Sequence, residues 1–70
     1  MTEYTIFDIR RGLFSEDIKI TAKSPMVAMK KAYPNAKITR CTGYHTNYGN
    51  VVVKRFRPYQ SYVYLVEEIG

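Results

Sequence analysis

The side chains with chemistry to offer are cations and phenols, and they are segregated. From Ile18 to Val66 the chain has no Asp or Glu, and that interval holds Lys19, Lys23, Lys30, Lys31, Lys37, Arg40, Lys54, Arg55 and Arg57. It also holds Phe56 and every tyrosine except Tyr4, namely Tyr33, Tyr44, Tyr48, Tyr59, Tyr62 and Tyr64. Cations neutralise phosphates and flat rings stack on unpaired bases, so the combination suits a polyanion-binding surface. The expectation is a non-enzymatic small basic binding protein with nucleic acid, DNA or RNA, as its leading partner. The competing reading is a basic surface that serves solubility alone.

Catalysis finds little support. His45 and Cys41 are the only residues of their kinds, and four residues across Gly43 do not set them on one helix face. A metal site built from protein needs three or four ligands, which one His, one Cys and carboxylates confined to the chain ends do not supply. Glu16-Asp17 and Glu67-Glu68 are neighbours that point to opposite faces of a strand, which leaves no acid–base pair across one substrate. Gly43 and Gly49 are too far apart for a phosphate loop and precede no Lys-Ser or Lys-Thr helix. Helix-turn-helix and zinc-finger patterns are absent too. The sequence therefore predicts no enzyme, no metal and no cofactor, with Cys41 a small core hydrophobe.

Seventy residues with 46% hydrophobic and 24% charged side chains are expected to form one globular domain over 1–70. A chain this short buries only about 60% of its unfolded surface, so a homo-oligomer or a bound partner would add stability. A net charge of +5 and a pI near 9.5 favour anionic partners. One cysteine, no signal-peptide core and no long apolar run predict a soluble, cytoplasmic protein with no membrane role.

These side chains need elements to position them. Tyr4 to Arg10 alternates, with Thr5, Phe7 and Ile9 on one side and Tyr4, Ile6 and Asp8 on the other, and reads as a strand. After a connection over Arg11 to Glu16, Asp17 to Ala22 alternates again and completes a hairpin. Ser24 is the N-cap and Pro25 the first residue of a helix that ends near Tyr33, ahead of Pro34. Its apolar stripe, Met26, Val27, Ala28, Met29, Ala32 and Tyr33, must lie on a sheet, because about nine residues do not hold a helix alone. Lys30 and Lys31 face water. Ala36 to Thr42 reads as a polar edge strand, Thr42 to Asn50 as an exposed loop, and Val51–Arg57 with Ser61–Glu67 as a second hairpin turning at Arg57–Gln60. The order β-β-α-β-β-β predicts an α+β domain whose mostly antiparallel sheet of four or five strands carries the helix on one face.

The other face is the candidate surface, and its composition depends on register. One pairing sets Phe56 opposite Tyr62 and Lys54 opposite Tyr64, exposing those four and sending Val53, Val63 and Leu65 to the core. A one-residue slip sets Val53 beside Tyr64 and Arg55 beside Tyr62. Separation of aliphatic from aromatic-basic residues favours the first pairing, with Arg55, Arg57, Lys37 and Arg40 on adjacent edges and Tyr59 at the hairpin tip. The alternative for Phe56, Tyr62 and Tyr64 is ordinary core packing. A second candidate is the loop Tyr44-His45-Thr46-Asn47-Tyr48, which holds aromatic rings, an imidazole and an amide between glycines.

The segment IKITAKSPMVAMKKAY, Ile18 to Tyr33, is a strand leading into a Ser-Pro-started helix with alanines four apart. It resembles a layout common in small proteins of phages and plasmids, which implies a mobile-element origin and assigns no functional residue. A second functional reading fits such a protein: a small interaction or inhibitor protein docking on a larger acidic partner through its Tyr-Arg surface.

Overall fold

The helix begins where Ser24 and Pro25 place it. In a computed structural model describing residues 1–12 and 16–69, Ser24 Oγ accepts from the Val27 N–H at 3.3 Å and α1 runs Pro25–Ala32. The Tyr33 N–H closes the last turn on Met29 O at 2.8 Å, and Pro34 cannot extend it. Ala28 and Met29 are buried while Lys30 and Lys31 face outward.

Five strands form one sheet: β1 Thr2–Asp8, β2 Ile18–Ala22, β3 Ala36–Cys41, β4 Val51–Phe56 and β5 Tyr59–Glu68. Their spatial order is β2-β1-β4-β5-β3, and every neighbouring pair is antiparallel. The expected β-β-α-β-β-β arrangement is the one observed. Helix α1 joins the two edge strands, β2 and β3, and packs on β2, β1 and β3. Its eight residues span about 12 Å against a sheet about 19 Å across, so it covers only part of its face. Beneath it Tyr4, Ile6, Ala22, Val51, Val53, Tyr64 and Val66 join Ala28 and Met29 in the core.

The β3–β4 connection passes β5 on the opposite face. Gly43, at φ 57°, turns the chain out of β3 into a 3-10 turn over Gly43–Tyr48. Gly49 then lies so close to Val63 that a Cβ would collide with Val63 Cγ1. The expected exposed loop is thus a short helical turn seated partly on the sheet. Asn50 holds its exit: the side-chain amide donates to Val66 O at 3.0 Å and accepts from the Val66 N–H at 2.9 Å. A side chain here does the work of a missing strand residue.

Two expectations need correction. The first strand ends at Asp8, short of Arg10, because the Asp8 carboxylate accepts from the Arg10 N–H at 2.9 Å and turns the chain into a 3-10 turn over Ile9–Arg11. Of the connection that follows, Leu13, Phe14 and Ser15 lie outside the described residues.

The second correction concerns the last hairpin, whose register matches neither expected pairing: Val51 faces Tyr64, Val53 faces Tyr62, Arg55 faces Gln60 and Phe56 faces Tyr59. The connection is Arg57-Pro58 alone, with a cis peptide bond, in place of the four-residue turn over Arg57–Gln60. Tyr62 and Tyr64 therefore share the helix-bearing face with Val51, Val53 and Arg55. Val63 and Leu65, expected in the core, lie half-buried on the opposite face.

Candidate nucleic-acid interface

The β4–β5 hairpin outruns its neighbour. β3 stops at Cys41, opposite Val63, so Tyr59 to Tyr62 has β4 on one side and, among the described residues, no strand on the other. This projecting end gathers most of the residues that the sequence singled out.

On the face opposite the helix, Phe56 and Tyr59 form the terminal cross-strand pair. They are 58% and 62% exposed, their ring centroids lie 5.8 Å apart, and their planes meet at 55°. Apolar rings this exposed have no share in the core. One step back along the ribbon is a polar row, Lys19, Thr5, Lys54 and Ser61, read across β2, β1, β4 and β5.

On the helix-bearing face, in the corner that α1 leaves open, Arg55 lies opposite Gln60. Arg55 Nη2 donates to Gln60 Oε1 at 2.8 Å and Nε donates to Pro58 O at 3.3 Å, which fixes the guanidinium. Next along β5 is half-buried Tyr62, with the Arg40 guanidinium 5.4 Å from its ring centroid. Arg57 is exposed at the tip. Among the described residues only Arg10 lies within ion-pair distance of a carboxylate. Arg40, Lys54, Arg55 and Arg57 make no ion pair among the described residues, and the nearest acidic neighbour in the cleft beside the tip is Glu3, which lines it with Arg55, Phe56 and Arg57.

The other expected site residues lie elsewhere. Tyr64, placed on the exposed face by the expected register, is 2% exposed in the core, and burial pushes its phenol pKa up. Lys37 faces Glu67 at the far end of β3. Tyr44, His45 and Tyr48 sit together on the 3-10 turn as a separate exposed patch, with the His45 and Tyr48 ring centroids 6.1 Å apart. Cys41 is buried, its Sγ 3.8 Å from Thr39 O.

Sequence reading missed Gln60, whose role depends on the register, and the cluster at the opposite corner. There Asp8, 5% exposed, accepts from Arg10 Nε at 3.0 Å, Arg10 Nη2 at 2.8 Å and Tyr33 Oη at 2.8 Å. Arg10 Nη1 also stands 3.6 Å from Glu68 Oε1, and its guanidinium lies 5.6 Å from the Tyr33 ring centroid. Burial alone would raise the Asp8 pKa, but the hydrogen bonds from Arg10 and Tyr33 outweigh it and hold the carboxyl below its ordinary value. Burial, and then the bond to Asp8, push Tyr33 up to about 12. The only sequence signal for this cluster was the Asp-x-Arg spacing at a strand end.

Known protein families, curated proteins and solved structures give no match to this chain. Among the described residues no helix is long and apolar enough to cross a membrane.

Proposed function

We propose that the protein is a non-enzymatic nucleic-acid-binding domain that engages its ligand through the projecting β4–β5 hairpin, and that it works in the cytoplasm. The observation that carries this reading is the coincidence, at one end of the molecule, of cations that make no ion pair among the described residues and rings with no core to fill. Lys54, Arg55, Arg57 and Arg40, with Lys19 on the flanking row, would neutralise phosphates. Phe56 and Tyr59 supply apolar contact area. Gln60 and Pro58 hold Arg55 in place, which lowers the ordering cost of each contact it makes.

A fluorescence-anisotropy titration of labelled DNA and RNA across a salt series tests the proposal. Neutralising about five phosphates gives a slope of log affinity against log salt of roughly −3.5 on single strands to −4.5 on duplex. Joint charge reversal of Arg55 and Arg57 should remove most of that binding. Absence of salt-sensitive binding to any DNA or RNA at low ionic strength would overturn the proposal. Specific capture of an acidic protein under the same conditions would then favour the interaction-protein reading.

A further inference from the structure

Resting on that reading, the geometry points to a narrower ligand: a strand with unpaired bases, stacked on Phe56 and Tyr59 and led round the open edge of β5 to Tyr62 and Arg40.

The arginine that the fold holds in place on this ribbon is not free to read a duplex. Grooves present base edges, and reading them takes side chains with free hydrogen-bonding forks. Arg55, the arginine anchored on this ribbon, has its Nε–Nη2 edge engaged by Pro58 O and Gln60 Oε1. What the opposite face offers instead is ring surface, with Phe56 and Tyr59 side by side and mostly exposed. Base faces are available to such rings only where bases are unstacked, as in single strands, loops and ends.

The path away from the rings is also open. Because β3 ends at Cys41, nothing pairs with the outer edge of β5 from Tyr59 to Tyr62 among the described residues. Tyr62 lies three residues beyond Tyr59, about 10 Å along the strand, on the other face. There the Arg40 guanidinium covers its ring with, among the described residues, no carboxylate within ion-pair distance. A flexible single strand can follow this turn from ring pair to arginine. A duplex, with a persistence length near 150 base pairs, cannot.

The test compares the full chain's affinity for a labelled oligothymidine of about 12 nucleotides, a length within known single-strand site sizes, with that for a self-complementary duplex of equal length at one ionic strength. An oligouridine probe extends the comparison to RNA. Single strands should bind at least about tenfold tighter, and Phe56→Ala and Tyr59→Ala should each weaken that binding by about 5- to 150-fold. Both variants should keep wild-type unfolding curves, while Tyr59→Phe retains binding. Arg40→Gln should make the single-strand salt slope shallower by about 0.7, one phosphate contact.

Equal or tighter duplex binding, or ring variants that bind the single strand like wild type, would overturn the inference while leaving phosphate binding by the hairpin intact. Loss of salt-sensitive binding to all of these probes would remove the proposed function together with the inference.

Discussion

Two corners of the helix-bearing face stack an arginine on a tyrosine, Arg10 on Tyr33 at 5.6 Å and Arg40 on Tyr62 at 5.4 Å, but their surroundings differ. Around Arg10 the fold supplies carboxylates, Asp8 at 2.8 Å and Glu68 at 3.6 Å, and the Tyr33 hydroxyl closes on Asp8. Around Arg40, among the described residues, it supplies none within ion-pair distance. The first corner joins the end of β1 to the end of α1 and to β5, with its guanidinium paired internally. The second spends nothing on neutralisation and lies beside a ribbon end whose rings face solvent. The same pair of residue types thus holds the fold together at one corner and makes no ion pair among the described residues at the other.

The comparison breaks most severely if the rings of β5 do not divide between core and surface as described. Tyr64→Ala should cost about 3–5 kcal/mol in chemical denaturation, the range for truncating a buried aromatic side chain. Tyr59→Ala, five residues away at the tip, should stay within about 0.5 kcal/mol of wild type.

Next in size is the balanced corner. Asp8→Asn should lower stability by about 1.5–3 kcal/mol, the range for hydrogen bonds to a charged group, and leave oligonucleotide affinity unchanged. Because the folded Asp8 pKa lies below the ordinary 3.8, its contribution is complete above that pH and disappears as acid protonates the folded carboxyl. Tyr33 behaves in the opposite sense. Its phenol is raised from 10.0 to about 12, so its contribution is complete below pH 10 and is lost as pH climbs through 12. Unfolding curves across pH should therefore show an acid limb that Asp8→Asn flattens and an alkaline limb that Tyr33→Phe flattens.

Of the two corners, the unbalanced one carries the smaller stability effect. Arg40→Gln should change unfolding free energy by no more than about 1 kcal/mol, the range for an exposed arginine over a ring, with no ion pair among the described residues to lose. A larger loss would mean that Arg40, like Arg10, serves the fold.

Much of the fold was legible because local signals agreed with one another. Ser24-Pro25 and Pro34 bracketed α1, the alternation of Tyr4 to Asp8 assigned its side chains to the correct faces, and the polarity of Ala36 to Thr42 marked an edge strand. The last hairpin was not legible. Val51, Val52 and Val53 are three equivalent residues in a row and suit either face, so alternation gives no register there. Tyr62 and Tyr64 are equally at home under a helix or in water, and Arg57-Pro58 turns the chain in fewer residues than expected. The candidate site inherited that ambiguity. Phe56 and Tyr59 are exposed as the preferred pairing required, Tyr64 was misplaced, and Gln60 was invisible because only the register sets it opposite Arg55. Asn50 was read as a loop residue, since nothing local shows that its amide pairs with a backbone sixteen residues away.

The most direct test is an amide-shift map of the isotope-labelled chain titrated with a short oligothymidine. Shifts concentrated on Lys54 to Tyr62 and on Arg40, with Asp8, Arg10 and Tyr33 unmoved, are the predicted result. A map centred on the Asp8 corner or on the outer face of α1, or one with no shifts at any ratio, would contradict the account.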